Sequence, residues 1–193
     1  IITNKNDYIP LIQELNKYKG KTSLKFRETM SSKAFGLTSV DLGETVTILG
    51  RHAFFQSASL KSVILPNSLE SLGEATFYNS SLEEVKFPSN LSNPSLNMGK
   101  SLFARSNLKS LIIPEGVTEI PESFCELCKS LSYLQLPKSL IVIHEASFAS
   151  TLGLLHLTFP EGVQSLAERS FAYTGLRSVE LPGSLSRIGS EAF

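Results

Sequence analysis

One register recurs through most of this chain. Leading leucines stand at Leu37, Leu60, Leu82, Leu108, Leu131, Leu154 and Leu176, with successive spacings of 23, 22, 26, 23, 23 and 22 residues. Three positions after each leader come Val40, Val63, Val85, Leu111, Leu134, Leu157 and Val179. Five positions after come Leu42, Leu65, Phe87, Ile113, Leu136, Phe159 and Leu181. A proline follows in each unit except the first, where Gly43 stands. Apolar residues return nine positions on, from Val46 to Leu185, and again at Leu49, Leu72, Ile120, Ile143, Leu166 and Ile188. An aromatic closes each unit, from Phe54 to Phe193. A period of this length marks a solenoid, in which one unit buries its apolar side only by stacking on its neighbours.

Parity sets the local structure. Positions three and five share parity, so an extended segment sends both side chains to one face, and the residues at two and four face away. Proline carries no amide hydrogen for a ladder, so the strand ends there. Strands this short, each with the same exit, pair with their own copies and make a parallel sheet along the array. The next two apolar positions read as one more inward-facing turn. The Ala-Phe or Ser-Phe pair then falls in a short turn or 3₁₀ segment that drops its ring into the core. The expected fold is a strand-rich repeat solenoid of the α/β type, with the sheet on one face and turns on the other.

The array is read as residues 37–193, seven units of about 23 residues. Its third unit is longer than its siblings, and the surplus at residues 92–102, with Pro94 and Gly99, is expected to loop out. The first 36 residues lack the register. Tyr8, Leu11, Ile12, Leu15 and Tyr18 recur at helical spacing, with Asp7 as cap and Gly20 as stop. Leu24, Phe26 and Met30 then fit a degenerate unit, so residues 1–36 read as a helical cap followed by a worn first repeat. No polar capping residue follows Phe193, so the parent protein is expected to continue.

The pattern L-x-x-V-x-L-P-x-x-L-x-x-I-G-x-x-A-F resembles the BspA-like leucine-rich repeats. It stands as LKSVILPNSLESLGEATF at 60–77 and LRSVELPGSLSRIGSEAF at 176–193. The resemblance implies a right-handed leucine-rich-repeat superhelix of a surface or secreted protein, associated with adhesion and protein binding. It places the chain at the cell surface or outside the cell. The family often carries Cys three residues before the next leader. Here only Cys128 matches, with Ser57, Asn79 and Thr151 in that place elsewhere, and the fourth unit is one residue short before Phe124.

Charge and motifs exclude several classes. Lysine plus arginine equals aspartate plus glutamate, 18 each, which gives no basic surface for nucleic acid and no attraction to an anionic membrane. No run approaches the length of a membrane span, and the first ten residues make no signal peptide. Cys125 and Cys128 have the spacing of half a zinc site, but no second pair exists, and the thioredoxin-like context of a redox motif is missing. They read as one repeat-position Cys and one neighbour. Gly20-Lys21-Thr22 lacks the earlier glycine of a phosphate loop. His52, His144 and His156 sit at different phases of the repeat, and no serine has a nucleophile elbow around it. Asn79-Ser80-Ser81 and Asn90-Leu91-Ser92 fit the glycan acceptor pattern. No catalytic residue, metal site or cofactor is expected.

Function is then left to the outward positions of the sheet. Ile64, Lys86 and Ile112 form one group there, with Tyr133, Gln135 and His156 beyond it. Aliphatics and an aromatic on an otherwise polar face mark an interaction patch. The expected activity is non-catalytic binding through this face, to a protein (of a host or of the extracellular matrix) or to a glycan. The alternative is a spacer or stalk that displays another domain of a longer protein.

Overall fold

Val63 is flanked by two outward residues and followed by an inward Leu65, and the chain extends there as parity requires. A computed structural model describes residues 38–88 and 96–193, which contain strands and turns but no helix. The strands run in order β1 (Ser39–Asp41), β2 (Ile48–Leu49), β3 (Ser62–Ile64), β4 (Ser71–Leu72), β5 (Glu84–Lys86) and β6 (Asn97–Met98). They continue as β7 (Ser110–Ile112), β8 (Glu119–Ile120), β9 (Tyr133–Gln135), β10 (Val142–Ile143), β11 (Ser165–Leu166) and β12 (Arg187–Ile188). The helical cap expected over 1–36, residues 92–95 of the insertion, and the acceptor triplet at 90–92 lie outside the described residues.

Each coil contributes to two rows of parallel strands. In the first row Val40 pairs with Val63 and Val63 with Val85, then Leu111 with Leu134, so each repeat position meets its own copy. In the second row Leu49, Leu72 and Met98 pair in turn, and so do Ile120, Ile143, Leu166 and Ile188. This second row corrects the expectation of a mere inward turn. Two extended residues suffice for a ladder when the neighbouring coil supplies its partner at the same height. Neither row is continuous. The first divides into β1-β3-β5 and β7-β9, with a further bridge from Thr158 to Glu180. The second divides into β2-β4-β6 and β8-β10-β11-β12.

The third side of each coil is a turn with two residues in the left-handed region, four apart. Ala75 and Asn79 (φ 52° each), Ala146 and Ser150 (51° and 61°), and Arg169 and Tyr173 (53° and 56°) show the pattern. None of these is glycine, and left-handed backbone costs an L-residue roughly 1–2 kcal/mol. The turn is held open by the next coil. Ala75, Phe77 and Asn79 donate their amides to the carbonyls of Lys100, Leu102 and Ala104, all at 2.9 Å. Ala146, Phe148 and Ser150 repeat the arrangement towards Glu168, Ser170 and Ala172. The expected 3₁₀ segment is therefore a turn in which every second amide points along the solenoid axis.

That turn aims its middle residue inward. Phe54, Phe77 and Phe103 stack with centroids 5.3 and 5.5 Å apart, and Phe148 stacks on Phe171 at 5.3 Å. Phe124 breaks the column and meets Phe103 edge-on at 84°. The coil is not a residue short. Phe103 still donates to the carbonyl of Phe124, as Phe54 does to Thr76, so the register is intact. The ring has moved one position earlier, and Cys125 occupies the usual aromatic place, fully buried. Small polar residues stack beside the column: Ser57, Ser80, Ser106, Cys128 and Thr151 are all buried. Ser80, not the exposed Asn79, holds the position equivalent to Cys128.

Two substitutions test this core. Leu134 is buried in β9, so Leu134→Asp should cost roughly 4 kcal/mol or more through an unpaired buried charge and lost packing. Chemical denaturation would read it, and a wild-type midpoint would show that the inward parity is wrong. Ser147 and Ser170 are equivalent and buried, but differ in bonding. The Ser147 hydroxyl lies 2.7 Å from the His144 carbonyl and 2.8 Å from that of Pro121, whereas the Ser170 hydroxyl has no partner among the described residues. Ser147→Ala should lose about 1 kcal/mol, while Ser170→Ala should be neutral or stabilising in the same denaturation experiment.

Candidate functional site

The outward residues of the first row stand exposed as their parity requires. Ile64 is 49% exposed, Ile112 53% and Tyr133 52%, each beside a buried Val or Leu. Lys86 and Gln135 are also exposed. Where the row divides, between β5 and β7, a groove of about 530 Å³ opens on this face. Val85, Phe87, Ile113 and the prolines Pro88 and Pro114 give it apolar walls, and Glu84, Lys86, Ser110, Glu115 and Gln135 give it a polar rim. Ile112 lies in it as well.

Of the six residues picked out in the sequence, the groove brings together Lys86, Ile112 and Gln135. Ile64 sits next to it, paired with Lys86 in the register of β3 and β5. Tyr133 donates its hydroxyl to the Gln135 side chain at 3.1 Å and so fixes that amide from outside the groove. His156 is exposed on the following coil, where no ladder joins β9 to residues 156–158 among the described residues. The six are thus not one continuous patch. Glu84, Phe87 and Glu115 were missed as site residues. The 26-residue spacing after Leu82 was the one signal that this junction differs.

Fixed charges surround the groove. The Lys86 ammonium lies 3.5 Å from the Glu84 carboxylate. The Glu115 carboxylate accepts the backbone amide of Lys138 at 3.1 Å with both oxygens, which holds it at the rim. Below them, Glu83 lies between Lys61, at 2.8 Å, and Lys109. The hydrogen bonds and charges of Lys109 first, then Lys61, hold its carboxyl down at about 2.

Elsewhere the chemistry is quiet. The Cys128 thiol donates to the Phe103 carbonyl at 3.0 Å and touches the Ser106 hydroxyl at 3.3 Å. Burial pushes the Cys125 thiol well up. Both are shielded structural thiols. Among the described residues no group of three or more His, Cys, Asp or Glu side chains is placed to hold a metal ion, and no helix is long and apolar enough to cross a membrane.

Two strand rows and a hydrogen-bonded turn per coil define a parallel β-solenoid. The chain belongs to the BspA type leucine-rich repeat family, whose model matches six copies over residues 28–98 and 96–193. Solved structures are similar to it along most of its length. A leucine-rich repeat protein from Bacteroides ovatus shares 28% identity at a TM-score of 0.65, over 81% of this chain and 46% of that one. The leucine-rich repeat protein of T. pallidum shares 24% identity at a TM-score of 0.71, over 79% and 73%. A leucine-rich cell surface protein from Faecalibacterium prausnitzii shares 22% at a TM-score of 0.53, over 82% and 45%. The last two are likenesses of fold. This chain spans just under half of the B. ovatus structure. No curated protein matches it.

Glu83 supplies a pH prediction. Its folded pKa lies below the ordinary value of 4.5, so its contribution is complete above that pH and is lost as pH falls towards about 2. An NMR titration of the Glu83 carboxyl should show its midpoint near about 2. Lys109→Ala should raise it towards the usual carboxylate range, and added salt should do the same.

Proposed function

We propose that this chain is a non-catalytic binding module of a surface or secreted protein, and that it contacts a protein partner through the strand face at the groove between β5 and β7. The observation that carries this is the groove itself: an apolar trough with a half-exposed Ile112, rimmed by Lys86, Glu84, Glu115 and Gln135. An apolar centre inside a polar rim is the make-up of a protein-binding patch. The rim charges pair with one another or with backbone, as Glu84 does with Lys86, so they orient a partner rather than stand poised for proton transfer. Ile64 and Tyr133 extend the face on either side, and His156 lies beyond. The F. prausnitzii structure is described as a cell surface protein, which supports the same location here. Residues 1–36 are read as the cap of the array.

A spacer role is the rival reading, favoured by the greater length of the B. ovatus protein. The two part in one experiment. Surface-plasmon resonance would measure binding to immobilised extracellular-matrix proteins and glycans. Lys86→Ala, Ile112→Ala and Gln135→Ala should each weaken the interaction about tenfold, roughly 1.4 kcal/mol, with thermal melting unchanged. Arg187→Ala, on the other row, should not. Equal affinity for all four variants would discard the groove, and absence of any ligand would favour the spacer.

A further inference from the structure

Both strand rows are interrupted at the same junction. The first row breaks between β5 and β7, and the second between β6 and β8. Both breaks lie between the coil led by Leu82 and the coil led by Leu108. A groove of about 530 Å³ opens at each. The corner at 114–117 stands between them: Pro114 and Glu115 line the groove on the first row, and Gly116 and Val117 line the one on the second.

The third side of this junction is intact. Ser101, Phe103 and Arg105 donate to the carbonyls of Glu122, Phe124 and Glu126 at 2.8–2.9 Å. One further bond, from the Lys109 amide to the Glu83 carbonyl at 3.1 Å, ties the start of β7 to β5. The next junction, by contrast, keeps the β7–β9 and β8–β10 pairings as well as its turn ladder. A coil bonded on three sides cannot tilt without breaking a ladder. A coil that keeps an unbroken ladder on one side, with a single further backbone bond on the strand face among the described residues, can tilt about that side and give up little more than that bond, one exposed ion pair and apolar contact.

We propose that the junction between the Leu82 and Leu108 coils is a hinge. The solenoid flexes there about the ladder from Ser101–Arg105 to Glu122–Glu126, and both grooves widen or narrow together because they flank the corner opposite that axis. The ion pair of Glu83 with Lys109 crosses the junction and restrains it from the strand face, but it is exposed and weak. Two halves in which every described junction keeps at least two ladders, around a joint that keeps one, are an ordinary basis for domain-scale flexing. The hinge does not depend on what binds in the groove.

Double electron–electron resonance tests it on the whole chain. Glu70→Cys with Gln164→Cys places labels at one repeat position on either side of the junction. Thr118→Cys with Ser186→Cys places them at the same repeat position on one side. All four sites are outside the core, and the buried native thiols stay unlabelled. The distance distribution across the junction should be at least twice as wide as the one within a half. Equal widths would overturn the hinge. Should a label at these sites disturb folding, Asn67→Cys with Lys138→Cys reads the same motion from the opposite corner, where its amplitude is greatest.

Discussion

The hydrogen bond from each turn to the next coil is what the rest of the molecule depends on. It lets ordinary residues such as Ala146, Ser150 and Tyr173 sit in left-handed backbone. The two left-handed residues of each turn bend the chain sharply enough to point Phe148 or Phe171 inward. The rings then meet from coil to coil, stacked on either side of Phe124 and edge-on at it. Remove the coil that accepts the bonds and the turn has no reason to hold its shape. This is the physical content of the statement that one unit cannot fold alone.

Much of this was legible in the residues. The parity of Val63 and Leu65 gave the strand and its buried face, Pro66 gave its end, and the repeat gave the pairing of each position with its copy. The second strand row was hidden because Ser71–Leu72 and its equivalents hold one inward residue each, too few to alternate. The left-handed turn was hidden because no glycine marks it; the cause is a bond to a neighbour about 22 residues on. Asn79 was placed where Ser80 belongs because counting back from the next leader crosses a corner whose length varies.

The same distinction holds at the groove. Exposure of Ile64, Lys86, Ile112, Tyr133 and Gln135 followed from parity, but which of them share a site did not. That depends on where the ladder fails, and a period describes coils that succeed. The grouping of Lys86, Ile112 and Gln135 comes from a break in the regularity by which they were found.

Coil length carries one more consequence. The leaders are spaced by 22, 23 or 26 residues, yet the described ladders hold one register through every strand and turn. The differences are absorbed at corners: the Leu60 coil is shorter than the Leu37 coil after its last buried serine, and the Leu82 coil is longer between its strand rows. A deletion inside a ladder segment would displace three interlocked registers at once, whereas one at a corner displaces none. Such a gene can grow or shrink by whole coils and drift in length at its corners. Lineages descended from it should differ in the number of coils and the size of their bends, and hardly at all in what lies between.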